Sequence, residues 1–417
     1  MSDNQPRDSG DRRVRTQRAG GSEINRGTWP ALDYETVAWD VNPVSGMTRR
    51  ETRWIGRPYA AAIVPEIAGH ELLLDSATMA DAEEAAAELV RFDAEVGHMP
   101  GSYSAVLLRS EAMSSSRIEN ITASARAIVE AEITGAGKGN GALVASNAAA
   151  MRRALSVPGR LDESRILAMH EVLMRGSHPE IAGRFRDDQV WIGSDNVPHT
   201  ADFVPPVAGR VRPAISDLTS FLDRNDLPVV VQAAISHAQF ETIHPFADGN
   251  GRTGRTLLHA VLAEKGLSNS SAPVSTGFLV RKAEYVAALT AYRAGDPLPI
   301  IEETSRAVIL AAREGRVLVT ATRDVRERWR QAMSRVRSDS AAHRLADGIV
   351  SHPVITVHEA RAILGSDQNV HRHIDALVEH GVLKPHQEHR TRLMTWRAQD
   401  VLDELDAFAE RMGRRAR

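Results

Sequence analysis

The 417-residue chain contains no cysteine. Disulfides and thiolate metal sites are therefore excluded, and a reducing cytoplasm is the expected location. Long apolar runs are missing as well. No stretch approaches the length of a membrane span, and the polar start Met1-Ser-Asp-Asn-Gln has no apolar signal core, so no membrane partner is expected. Net charge is small: 51 Lys and Arg stand against 54 Asp and Glu, a formal −3. That gives no global pull toward nucleic acid, and any such binding has to come from a local patch. The 16 histidines never fall into H-E-x-x-H or a similar ligand spacing, so no zinc site is expected. No glycine-rich turn ends in Gly-Lys-Ser/Thr, which excludes a P-loop. What remains is a chain 42% hydrophobic, as in globular proteins, and long enough for two or three domains.

One run concentrates the chemistry: His244-Pro-Phe-Ala-Asp248-Gly-Asn-Gly-Arg252-Thr-Gly-Arg255. Apolar residues at helical spacing precede it from Val229 to Phe240 and follow it from Thr256 to Lys265, where Gly266 ends the pattern. The run thus reads as a loop feeding the start of a second helix. Backbone N–H groups are unpaired there and the local dipole favours anions. Gly249 and Gly251 let the backbone approach a phosphate closely. Arg252 and Arg255, three apart, present guanidinium forks that match phosphate oxygens. Asp248 is a hard oxygen ligand suited to Mg²⁺, and His244 titrates near neutrality and can accept a hydroxyl proton. Gly249 to Gly254 also fits G-x-G-x-x-G, but a dinucleotide turn follows a β-strand, and this one follows a helix pattern.

Three other segments stand out. Ser115 and Glu119, within Arg109–Asn120, are i, i+4 neighbours on one helical face. Arg184-Phe-Arg186-Asp-Asp-Gln189-Val190-Trp191-Ile192-Gly193, followed by Ala201 to Pro206, reads as a short β-hairpin with Val190, Trp191 and Ile192 as strand formers and 193–196 as its turn. In the tail, a helix capped by Thr356, a turn at Gly365, a second helix from Asn369 to His380 and two strands over 382–396 make a winged helix-turn-helix pattern. Asn369, His371, Arg372 and His373, with Arg390 and Arg392 of the wing, are placed to meet DNA phosphates. A protein-binding or dimerising wing fits the same pattern. Residues 1–26 lack apolar periodicity and read as disordered. Aromatic residues among Pro and Gly over 28–65 read as extended arms on the core. Helices dominate the remainder, with Ile300–Arg335 as one long helix or two.

The run from His244 to Arg255 fills every specified position of HPFx(D/E)GNGRxxR and resembles the signature of the Fic family. The resemblance implies a mainly α fold: a Fic (Fido) core over 136–312 with a β-hairpin flap, preceded by a helical region over 27–135 and followed by a connector over 313–340 and the winged helix over 341–417. It implies AMP transfer from ATP to a Ser, Thr or Tyr hydroxyl of a target protein. His244 would be the base and Asp248 would hold Mg²⁺. Gly249, Asn250, Gly251, Arg252, Thr253, Gly254 and Arg255 would bind the phosphates, and Phe246 would anchor the loop. The 184–206 block is similar to the family's flap, so Gln189, Val190, Trp191, Ile192 and Gly193 are expected to pair with the target's extended backbone. Trp191 fits a core-filling role equally well. Ser115, Glu119 and Asn120 resemble the inhibitory motif (S/T)xxxE(G/N), which implies that Glu119 pairs with Arg255 and holds the enzyme off. One place departs from the family. Where a Ser-x4-Asn-x3-Tyr-Tyr pattern lines the adenine pocket, this chain has Ser275 to Val286 with Val280 or Arg281 at the Asn position and one Tyr missing. Arg281 becomes an additional nucleotide-binding candidate, and a different nucleotide or a phosphocholine-type donor stays open. Two further functional readings stand beside transfer: removal of AMP from a target with Glu119 orienting a water, and a DNA-binding regulator whose Fic core senses nucleotide. A homodimer is among the assemblies the resemblance implies.

Overall fold

A computed structural model describes residues 29–39, 48–97, 103–135, 139–157, 159–193, 197–268, 272–366, 368–387 and 393–416. The expected disorder over 1–26, part of the flap turn (194–196), and Arg390 and Arg392 lie outside the described residues.

The aromatic arms do not merely drape the core. Strand β1 (Asp33–Val37) pairs antiparallel with β2 (Tyr59–Ile63), Tyr34 opposite Ala62. Helix α1 (Arg49–Thr52) lies between them, started by a capping box of Thr48 and Glu51. Ala61, Tyr59 and Trp39 are buried with Val197 and Val204, and Trp54 and Trp191 pack against this cluster. The small sheet thereby forms a wall beside the flap segment.

Helix α2 (Ser76–Gly97) buries Ala82, Ala85, Leu89, Phe92 and Val96, a stripe at spacings of three and four. It lies against α12, and a Cβ at Gly315 there would stand 2.8 Å from the Phe92 ring. The alternatives for the 300–335 region resolve to one continuous helix, α12 (Leu298–Ala332). Between come α3 (Tyr103–Ile118), α4 (Ala125–Thr134), α5 (Asn140–Ser156), α6 (Glu163–Met174), α7 (Ala208–Leu222), α8 (Val229–Ile243), α9 (Asn250–Glu264), α10 (Ser275–Val280) and α11 (Lys282–Arg293). Two of these are buried almost all round. In α8 every residue from Val230 to Ile243 is buried, which its near-unbroken apolar start dictates. In α3 the buried set includes Arg109, Ser110, Glu111 and Ser114 to Ser116. A buried polar helix has to find partners for those groups, and this requirement ties α3 to its neighbours.

The tail holds α13 (Ala341–Ile349), β3 (Val354–Ile355), α14 (Val357–Leu364), α15 (Val370–Glu379), β4 (Lys384–Gln387), β5 (Met394–Arg397) and α16 (Gln399–Arg415). Its sheet runs β3-β5-β4, all antiparallel, with Pro385 opposite Trp396. Thr356 and Glu359 form the capping box of α14. The tail's apolar residues belong to the same continuous core as those of α8 and α9. The reason is α16, whose buried Leu405, Phe408 and Met412 lie against α3, α4, α10 and α12. Polar contacts follow. Arg117 donates to Ala409 O (2.8 Å), the Ala125 N–H to Asp406 (2.7 Å) and Arg109 to Ser351 O (2.7 Å), while Arg397 pairs with Glu130 (2.6 Å). No helix among the described residues is long and apolar enough to cross a membrane.

Candidate active site

Helix α8 stops at Ile243 because His244 adopts the left-handed conformation (φ 49°, ψ 61°), its N–H donating to Phe240 O at 2.9 Å. A non-glycine residue held this way stores strain and needs support from its surroundings. The loop that follows is short. Phe246 is fully buried, with its ring stacked on His170 (centroids 3.7 Å, planes 4° apart). Asn250 grips the same residue twice: Phe246 N–H donates to Oδ1 and Nδ2 donates to Phe246 O, both at 2.8 Å. Gly249 sits at φ 75°, and a Cβ there would stand 2.9 Å from Met174 Sδ. These fixings start α9 at Asn250, so Arg252, Thr253, Gly254 and Arg255 belong to its first turns. The first bond of the helix runs from Thr253 N–H to Gly249 O (3.0 Å), so the N–H groups of Asn250, Gly251 and Arg252 have no helical acceptor and mark an anion-receptive end.

Both arginines are almost fully buried, and one carboxylate serves them. Glu119 accepts from Arg255 Nη2 at 2.6 Å and from Arg252 Nε at 2.9 Å. Ser115 Oγ accepts from Arg255 Nε at 2.8 Å, and Ser115 O from Nη2 at 3.0 Å. A turn of helix away, Glu111 lies 2.9 Å from His259 Nε2 and accepts the Ser275 N–H at 2.8 Å. The two helices run antiparallel, and the pairs 111/259, 115/255 and 119/251 step four residues at a time in opposite directions. At the last rung the approach is close: a Cβ on Gly251 would lie 2.5 Å from Glu119 Oε1, so any larger residue would displace that carboxylate. Asn120, at φ 62°, turns the chain away just past Glu119.

Burial holds His244 well below the ordinary histidine range, at about 3, and the nearby Arg293 and Arg186 charges push the same way. The ring is thus neutral near pH 7, and the residue is partly exposed. It is in the form that accepts a proton. The Asp248 side chain is 57% exposed; Oδ1 takes the Gly249 N–H (2.6 Å) and lies 3.9 Å from Arg252 Nη2. One accessible carboxylate beside a phosphate-receptive helix start fits Mg²⁺, which is commonly held by one or two carboxylates plus the substrate's phosphates.

Two residues here carry no signal in the sequence. His170 falls on the apolar stripe of α6 with Ile166, Met169 and Leu173. Its Nδ1 accepts the Gly183 N–H (3.1 Å), so the proton sits on Nε2, which donates to Asp248 O (3.0 Å). Burial lowers its pKa to about 4. Glu241 is buried one turn before His244. Burial raises its pKa to about 7, Oε1 has no partner, and it lies 2.6 Å from where a Gly254 Cβ would stand.

The flap is less regular than a hairpin. Among the described residues its strand pairing is a single bridge, Ile192 with Phe203, closed by bonds of 2.8 and 3.2 Å. Pro198, Pro205 and Pro206 supply no N–H to extend a ladder. Gln189 Nε2 donates to Val190 O and Pro205 O, both at 2.9 Å, and substitutes for missing rungs. Val190 and Trp191 are outside any strand; Trp191 packs against the aromatic wall, and Gly193 is exposed at φ 141°. Arg281 does not join the other candidates: its guanidinium is taken by Glu303 at 2.8 and 3.0 Å.

Residues 160–262 match the sequence model of the Fic/DOC family. A protein adenylyltransferase fic-1 of Caenorhabditis elegans is 33% identical over 144 residues, 34% of this chain and 26% of that protein. A probable protein adenylyltransferase of Aquifex aeolicus (strain VF5) is 36% identical over 148 residues, 35% of this chain and 41% of that protein. The chain thus spans between a quarter and two-fifths of these curated relatives. A Fic family protein from Desulfovibrio desulfuricans G20 is similar in structure, with a TM-score of 0.50 and 25% identity, covering 78% of this chain and 97% of that one. The loop, the paired arginines and the helices that carry them lie within the matched segment or at its edge: the chain carries a domain of the Fic/DOC family.

Proposed function

We propose that the chain is a protein adenylyltransferase: it transfers AMP from ATP to a hydroxyl side chain of a target protein, and Glu119 holds it off. The observation that carries the reading is a neutral imidazole next to an anion-receptive helix start whose two arginines are already engaged by a carboxylate from elsewhere in the chain. In this reading the triphosphate lies over the first turn of α9, its β- and γ-oxygens on Arg252, Arg255 and the N–H groups of Asn250 to Arg252. Mg²⁺, held by Asp248, would offset phosphate charge. His244 takes the proton of the acceptor Ser, Thr or Tyr hydroxyl. The oxygen then forms the bond to the α-phosphorus as the bond to the β-phosphate oxygen breaks, and pyrophosphate leaves. Positioning and charge stabilisation do most of the work. The flap contributes main-chain groups to an extended acceptor segment.

Glu119 occupies the ground the γ-phosphate needs. Its carboxylate crowds Gly251, where a phosphate oxygen would have to come, and engages both cations. The test is mass spectrometry of the Glu119→Gly protein after ATP and Mg²⁺, alone and with a lysate. An added AMP on the chain or on lysate proteins, lost on adding His244→Ala, is the expected result. Transfer that persists without His244, or transfer of a different group, overturns the reading.

A further inference from the structure

Arg186 is a buried cation with no acidic partner among the described residues. It is 5% exposed, and burial lowers its pKa to about 10, which leaves it charged near neutrality. The charge is solvated by carbonyl groups alone. Nε donates to His244 O at 2.8 Å, Nη1 to Asp188 O at 3.1 Å, and Nη2 to Pro206 O at 2.6 Å and more weakly to Ile243 O at 3.5 Å. Its own N–H donates to Pro245 O at 3.0 Å. A buried charge is costly unless every donor is used, and here the donors reach three separate pieces of chain: the outgoing leg of the flap at Asp188, its return leg at Pro206, and the end of α8 at Ile243 and His244.

The carbonyl it holds at 2.8 Å belongs to the residue whose φ is +49°. A planar fork with five donors in fixed directions can span these acceptors; an ammonium, with three donors on one nitrogen, cannot. We propose that Arg186 is a positioning residue for the transfer reaction: it fixes the backbone of His244 and ties both flap legs to it, so that seating an acceptor along the flap and aiming the base are one event. This rests on the transferase reading above. Gln189 provides a contrast, because its amide joins the flap's legs to each other and touches nothing at His244.

The experiment compares Arg186→Lys and Gln189→Ala in the Glu119→Gly background, with thermal unfolding as a check on folding. For Arg186→Lys we expect kcat for AMP transfer to fall about 100-fold, as small misplacements of reacting groups do. ATP affinity by calorimetry should change less than about threefold, since the phosphate groups on α9 are untouched. For Gln189→Ala the acceptor KM should rise while kcat holds. Hydrogen exchange should quicken over both 187–206 and 243–246 in Arg186→Lys, and over 187–206 alone in Gln189→Ala. Transfer within threefold of the parent, or ATP affinity falling in step with rate, overturns the proposal. A parent that transfers nothing sinks the transferase reading instead, and the exchange pattern still decides for Arg186: unchanged protection at 243–246 overturns it. If Arg186→Lys does not fold, Arg186→Gln is measured in its place against the same outcomes.

Discussion

Two helices at the site end in a left-handed residue that is not glycine. Helix α8 ends at His244 and the α3 segment at Asn120, with Glu119 just before it. The two turns are held in different ways. Around His244 the supports are one cation on backbone carbonyls and neutral side chains: Arg186 on His244 O, Asn250 on both polar groups of Phe246, and a His170 whose tautomer is set by Gly183. None of these supports is an anion that a nucleotide would displace. Around Glu119 the grip on one side is ionic, to Arg252 and Arg255, and on the other side it comes from α16 through Arg117 and Ala125. An ionic grip can be taken over by a competing anion. In the proposed function the first turn stays and the second is exchanged.

The comparison can be broken at several points. The largest effect is expected at the fixed turn: His244→Ala should lower transfer by about 10³-fold, the scale of a lost general base, with ATP binding retained by calorimetry. At the exchangeable turn, Glu119→Gly should raise transfer by about 10- to 100-fold, the scale of a coupling of one to three kcal/mol. Gly251→Ala sharpens the distinction. The added methyl displaces Glu119 but also stands where a phosphate comes, so ATP affinity should fall with no gain in transfer. A smaller effect is expected from the far side of the exchangeable turn. A side chain at Gly413 collides with the Arg117 guanidinium, so Gly413→Val should loosen α16 and raise transfer by a few fold, with hydrogen exchange over 117–125 increased. The smallest is a matter of pH. His170, His237 and His244 titrate at about 4, 3 and 3 when folded, against about 6.5 in an unfolded chain. Between those limits these three groups bind more protons in the unfolded state, so they lower stability as pH falls from 6.5, by at most about 1.4 kcal/mol per pH unit each. Glu241, whose raised pKa works the other way, offsets part of this. Thermal unfolding midpoints should decline from pH 7 to pH 5, less steeply in His244→Ala. The transfer rate should show no His244 limb near pH 6.5.

Much of the candidate site's geometry was legible because its residues are adjacent in sequence: one run carries the imidazole, the carboxylate, both glycines and both arginines. The Glu119 pairing with Arg255 was expected only from the resemblance to the inhibitory motif, because nothing in the spacing of Ser115 and Glu119 points to residue 255; its second partner, Arg252, comes from the structure alone. What could not be read needs groups far apart in the chain. Nothing near His170 in sequence announces Gly183 and Asp248 as its partners, and its apolar stripe hides it. The flap read as a hairpin because Val190, Trp191 and Ile192 favour strands, but prolines on the return leg leave one bridge. The tail's strands and helices were visible in its turns and caps. That it joins the main core was not, because α16 lies beyond the wing pattern and its acceptors are a backbone carbonyl and a single aspartate.

Gly413 lies where the guanidinium of Arg117 passes, and it stands 16 residues beyond Arg397, the end of β5. A catalytic piece cut before Gln399, a convenient choice for expression, would lack the Ala409 and Asp406 oxygens that pin both flanks of the glutamate. If Glu119 restrains the site as proposed, rates measured on such a piece would describe a protein with that restraint loosened, and they should not be read as the resting rate of the whole chain.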